Sequence, residues 1–183
     1  AGRARAGLLV LVLLDQETSG RLAGYTQVVR VWRGLPVVEL EIELDVERMP
    51  EGDPWSNYFA ARFAYNDSAA SVTRSVLAGA HDAGESRFES PYYVELATES
   101  ARTTIIGAGL PFYRKIDMRM LDALLIVEGE TSRRFRYRVT VDQPYPMQHA
   151  ASAIVPPIVL PTASGPPAAG TSGWFFHVDA PTV

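Results

Sequence analysis

Four residues in a row, Phe112-Tyr113-Arg114-Lys115, bring together groups able to grip a polar ligand, and Arg119 follows shortly after. An arginine presents a rigid fork of donors that suits hydroxyls and carboxylates. A tyrosine adds a hydroxyl and a flat ring. The same run also reads as an exposed turn whose cations pair with Asp117 and Asp122. A second candidate is the series Glu39, Glu41 and Glu43. A glycosidase needs two carboxyl groups roughly 5 to 9.5 Å apart in unlike environments. Residues two apart on a strand meet the distance, but they share one face, so nothing drives their pKa values apart. A solvated charged face is the better reading. A third candidate is Trp55, Tyr58 and Phe59, whose rings suit the apolar side of a sugar. Their alternation with Arg62 and Phe63 favours an ordinary core-and-surface strand.

Other chemistries find little support. His81, His149 and His177 are isolated, without the short spacings that put two metal ligands on one face. There is no G-x-S-x-G elbow, and Gly107-Ala108-Gly109 lacks the later glycine of a dinucleotide fingerprint. The chain has no cysteine, so disulfides, thiolate metal sites and cysteine nucleophiles are excluded together. A net charge of −4 argues against nucleic acid as a partner. No apolar run reaches the length of about 20 residues that spans a bilayer, so no membrane partner is expected. Gly7 to Leu14 follows Arg3 and Arg5 like a signal-peptide core, but Asp15-Gln16-Glu17 interrupts it and a second strand pattern follows, so a strand is expected. The compartment stays open.

The elements that would position these residues read almost entirely as strands. The chain has 183 residues, 47% hydrophobic and 21% charged, a globular balance. Leu8 to Leu14 and Arg21 to Trp32 form a hairpin about Glu17 to Gly20. Val37 to Glu47 is the clearest strand: Val38, Leu40, Ile42, Leu44 and Val46 share one face, and the acidic residues between them share the other. Met49 to Asn57 is a loop, broken by Pro50, Gly52 and Pro54. Strands follow over Asn57 to Tyr65 and Ser71 to Leu77, then a polar connection over Ala78 to Ser90. Tyr92 to Thr98 and Arg102 to Ile106 form a hairpin, succeeded by a loop over Gly107 to Lys115. Leu121 to Val127 and Arg134 to Val141 pair about Glu128-Gly129-Glu130, and Met147 to Val155 is a short helix. Arg134, Arg136 and Arg138 are the positive counterpart of the glutamate face, which predicts that these two strands lie side by side. The expected fold is all-β, an antiparallel β-sandwich over residues 1–155. Residues 156–173 are a Pro/Ala/Gly-rich loop or linker, and 174–183 begin a further strand. Both ends look cut from something longer.

Arg102-Thr103-Thr104 through Gly109-Leu110-Pro111-Phe112, then Arg119-Met120-Leu121-Asp122 and Glu128-Gly129-Glu130, resemble the C-terminal β-rich region of bacterial α-mannosidases of glycoside hydrolase family 38. Val38 to Asp45 followed by Pro50-Glu51-Gly52-Asp53-Pro54-Trp55 fits the same region, so the resemblance spans most of Tyr25 to Val155. It implies a galactose mutarotase-like supersandwich belonging to a retaining, zinc-dependent α-mannosidase. The nucleophilic Asp and the Asp and His zinc ligands of that family sit in an upstream α/β catalytic domain, and no position here matches them. The zinc is therefore expected in that domain, with no cofactor in this chain. The implied partners are that domain and a mannoside substrate. In such enzymes a loop of the β-rich part reaches the cleft with an arginine. Phe112 to Arg119, carrying Tyr113, Arg114, Lys115 and Arg119, is the candidate here. The alternatives are a self-standing lectin-like module and a purely structural sandwich.

Overall fold

The structure, a computed structural model, describes residues 5–16, 20–77 and 79–155. The Glu17 to Ser19 part of the first turn, the Pro156 to Gly173 loop, the Trp174 to Val178 strand and His177 lie outside the described residues. The fold is mostly β, two antiparallel sheets packed as a sandwich with one short helix. The strands are β1 (Arg5–Gln16), β2 (Gly20–Trp32), β3 (Val37–Val46), β4 (Phe59–Ala64), β5 (Ser71–Val76), β6 (Gly79–Asp82), β7 (Arg87–Glu89), β8 (Val94–Ala97), β9 (Arg102–Gly107), β10 (Phe112–Asp117), β11 (Met120–Ile126) and β12 (Arg134–Val141). The helix α1 is Pro146–Ile154. The larger sheet runs β1-β2-β3-β12-β9-β8-β5-β6, and the smaller runs β4-β11-β10-β7.

The core lies between the sheets. Ile42 and Leu44 of β3, Val94 and Leu96 of β8, Ile105 of β9 and Phe135 and Tyr137 of β12 meet Phe88, Tyr113, Leu121, Ala123 and Leu125 from the smaller sheet. Period-two alternation along the strands produces most of this layer, and the register shift between Leu124 and Ile126 of β11 brings the consecutive Leu125 and Ile126 into it. Two ring contacts cross or line it. Phe63 meets Tyr137 edge-on at 5.4 Å, and Phe88 stacks on Tyr113 at 5.7 Å. The helix covers part of the opposite face of the larger sheet, burying Ala150 against Tyr93 and Ile106. Pro146 suits its first turn, where an N–H has no helical acceptor.

The charge ladders pair as the alternation predicts. Arg134 lies opposite Glu43, Arg136 opposite Glu41 and Arg138 opposite Glu39. Arg138 reaches Glu39 at 2.9 Å and Arg134 reaches Glu43 at 3.2 Å, while Glu41 is taken by Arg30 of β2 at 2.6 Å. The Arg30 bond holds the Glu41 carboxyl below its usual range. Replacing Arg138 by Glu sets like charges opposite one another. The expected cost is about 0.5–1 kcal/mol in urea denaturation, and the exchanged pair Glu39→Arg/Arg138→Glu should recover most of it. A double variant no more stable than the single one would show that the ladder does not set this pairing.

Three expectations are corrected. Ala78 to Ser90 is not only a connection, because it carries β6 and β7. These strands are too short and polar to show an alternation; in β7 only Phe88 is buried. Phe112 to Lys115 is not a loop but the start of β10, which pairs with β11 and β7. Finally, β11 and β12 are not a hairpin. They belong to different sheets, and residues 127–133 form an arch that carries the chain across the sandwich. Its tight point is the expected Glu128-Gly129-Glu130, where Gly129 has φ +85°.

Candidate functional site

The strand register of the smaller sheet sets Arg62 opposite Asp122, Asp122 opposite Arg114, and Arg114 opposite Arg87. Directly opposed residues share a face, so this row crosses the sheet on the side away from the core. The neighbouring row on β10 and β7 is Phe112 opposite Glu89. Above the row lies the 47–58 loop, which brings in Trp55 and Tyr58.

Asp122 is the buried centre of this arrangement, with 1% exposure. Arg62 holds it with two hydrogen bonds, Nε to Oδ1 at 2.6 Å and Nη2 to Oδ2 at 2.8 Å. The Tyr58 hydroxyl donates to Oδ2 at 3.0 Å. The carboxylate is thus satisfied by a bidentate cation and a phenol, the pattern that makes a buried charge tolerable. Burial first, and the Asp122 bond second, raise the Tyr58 hydroxyl above its usual range. The same bond to Asp122 raises the Arg62 guanidinium.

Arg114 is held differently. Its Nη1 donates to the Trp55 carbonyl at 2.5 Å and to the Tyr58 hydroxyl at 3.4 Å, and its guanidinium lies 5.9 Å from the Tyr58 ring centre. Arg87 stands 5.9 Å over the Trp55 ring, and Phe112 meets Trp55 edge-on at 6.0 Å. Asp53 shapes the loop that delivers Trp55. Its carboxylate accepts from Ser56 Oγ at 2.6 Å and from the Trp55 N–H at 3.3 Å, which hold its carboxyl below the usual range. The loop is tied to the arch as well, since the Gly52 N–H donates to Glu128 at 2.8 Å. Trp55 is half-buried, and Arg87 and Phe112 are exposed. A cation-rich aromatic surface therefore faces solvent.

The four residues expected to act together do not stay together. Tyr113 is fully buried in the core, stacked on Phe88, and its hydroxyl has no hydrogen-bond partner among the described residues. Burial pushes that hydroxyl far above its ordinary range. Lys115 Nζ donates to the Ala83 carbonyl at 2.5 Å and the Gly84 carbonyl at 3.3 Å, so it fastens the 83–86 segment. Arg119 lies in the exposed β10–β11 turn, its N–H bound to Asp117 at 2.6 Å. Only Arg114 reaches the row. Asp122, expected to pair with the basic run, is taken by Arg62 instead. Arg87 and Arg62 gave no sequence signal, because each joins the site through strand register with residues far away in the chain. Of the aromatic trio, Trp55 and Tyr58 reach this face and Phe59 packs on the core.

Among the described residues, a cavity of about 640 Å³ lies elsewhere, on the outer face of the larger sheet between the charge ladder and α1. The glutamates that line it are Glu39 and Glu41, which are bound by Arg138 and Arg30. Among the described residues, no group of three or more His, Cys, Asp or Glu is placed to hold a metal ion, and no helix is long and apolar enough to cross a membrane. No protein-family model and no curated protein matches this sequence.

Proposed function

We propose that this chain is the non-catalytic β-sandwich portion of a glycoside hydrolase of the retaining α-mannosidase type, a galactose mutarotase-like supersandwich. In this reading it supports an upstream α/β catalytic domain and lends its arginine–aromatic face to the sugar-binding cleft. The observation that carries the reading is the convergence of Arg114, Arg87, Trp55 and Phe112 on one solvent-facing patch. Guanidinium forks donate to sugar hydroxyls, and flat rings cover the apolar face of a pyranose. The glutamates Glu39, Glu41 and Glu43 support it from the other side, because each is committed to an arginine, and the bond from Arg30 holds the Glu41 carboxyl below its usual range. The zinc and the nucleophile implied by the family resemblance belong to the catalytic domain. This chain contributes only positioning, which holds a substrate in the geometry its reaction needs. The reaching element is then the outer side of β10 with the Trp55 loop, in place of the Phe112 to Arg119 loop.

One observation favours a second reading, a self-standing carbohydrate-binding module. Every residue of the patch comes from this chain, so no partner domain is needed to complete it. Titration of the chain with a methyl mannoside, followed by the Trp55 indole resonance, tests both readings. The expected result is a shift of that resonance with Kd on the order of 1 mM. Trp55→Ala should abolish binding and leave the fold intact, since its main-chain carbonyl still receives Arg114. No shift at any concentration, with Trp55 and Arg87 unperturbed, removes the patch from sugar binding.

A further inference from the structure

Arg87 and Arg114 stand directly opposite one another on neighbouring strands, an arrangement that repels when nothing lies between the charges. The third cation of the row, Arg62, is neutralised by Asp122 at 2.6 Å. Arg87 and Arg114 have no such partner: among the described residues neither makes an ion pair within salt-bridge distance. The contacts of Arg114 are neutral acceptors, and that of Arg87 is the face of Trp55. Asp122, opposite Arg114, is taken by Arg62, and Asp53, which feels both guanidiniums through space, spends its hydrogen bonds on Ser56 and the Trp55 N–H.

We infer that this pair of guanidiniums receives the carboxylate of an acidic sugar, with the sugar ring lying against Trp55 and Phe112. The inference rests on the reading of this face as sugar-contacting and adds the ligand's charge. A carboxylate accepts two parallel N–H bonds from an arginine fork and relieves the Arg87–Arg114 repulsion as it binds. Asp53 and Glu89 bound the patch on either side, and the chain carries a net charge of −4. That frame favours a single negative group on each ring over a polyanion. A sulfate ester presents the same oxyanion geometry, so the two sources are separated by experiment.

The test is a set of titrations of the full chain with glucuronate, glucose 6-sulfate, glucose, methyl mannoside and free acetate, read from the Trp55 indole and Arg87 Nε–H resonances. Glucuronate should bind about tenfold tighter than glucose, as expected for charge-assisted bonds. Arg87→Gln should erase that advantage while the remaining spectrum stays folded, because Arg87 is exposed. Arg114→Lys, which keeps the charge and loses the fork, should retain only part of it. Glucose 6-sulfate binding more tightly than glucuronate would overturn the carboxylate assignment in favour of a sulfate. Acetate binding as tightly as glucuronate would overturn the role of the ring. Methyl mannoside or glucose binding as well as glucuronate, unaffected by Arg87→Gln, would overturn the inference and leave the sugar reading standing. Silence from every sugar would overturn both.

Discussion

Arg62→Ala should destabilise the protein by about 3 kcal/mol, lowering Tm by roughly 6–12 °C for a chain of this size. The cost arises from what is left behind. Asp122 is 1% exposed and depends on two hydrogen bonds from Arg62, so truncation strands a buried carboxylate with only the Tyr58 hydroxyl. The figure sits at the lower end for broken buried pairs because the Arg62 side chain is 53% exposed, and water can enter where it stood. Two controls isolate the mechanism. Arg62→Ala/Asp122→Ala should be more stable than Arg62→Ala alone, since removing the stranded charge removes most of the penalty. Arg134→Ala, whose side chain is 70% exposed opposite Glu43, should change stability by less than about 1 kcal/mol. Equal losses for Arg62→Ala and Arg134→Ala would mean that Asp122 finds compensation elsewhere, and the row would lose its organising centre.

That pair also marks where the sequence stops being informative. Arg62 and Asp122 are 60 residues apart, and they meet only because β4 and β11 are neighbours in the smaller sheet. Nothing local to either residue announces the meeting. The Glu39–Arg138 side of the molecule is the opposite case. There, strict alternation places each set of charges on one face, and complementary sign then selects the partner strand, so the side-by-side pairing was legible, while the register is added by the structure. Turn chemistry was informative only in part. Glu128-Gly129-Glu130 does reverse the chain, but a hairpin and an arch between sheets need the same glycine. What separates them is burial: β11 is buried along nearly its whole length, whereas β12 alternates, so the two cannot share one half-exposed layer. The basic run at Phe112 to Lys115 misled for a related reason. Alternation along β10 turns Arg114 outward and Tyr113 inward, which splits a cluster that looks contiguous in sequence.

The inward position of Tyr113 yields the second large effect. Gly107 ends β9 opposite Tyr137, and a Cβ placed there would lie 2.8 Å from Tyr113 Oη, 3.1 Å from the Leu110 carbonyl and 3.3 Å from the Tyr137 ring. Gly107→Ala should therefore cost about 1–3 kcal/mol through overpacking. The closest of these contacts is the Tyr113 hydroxyl, which is also buried without a partner among the described residues. Tyr113→Phe removes an oxygen whose burial is uncompensated, so it should leave stability unchanged or raise it by about 1 kcal/mol. In the Tyr113→Phe background the Gly107→Ala penalty should shrink by roughly 1 kcal/mol, since the two sites share one contact. Chemical denaturation of the four proteins of this cycle measures that coupling directly. Identical penalties in both backgrounds would place the Tyr113 hydroxyl away from Gly107. Tyr113→Phe should also leave sugar titration curves unchanged, because its hydroxyl lies under the sheet while Arg114, one residue along the strand, faces the solvent side.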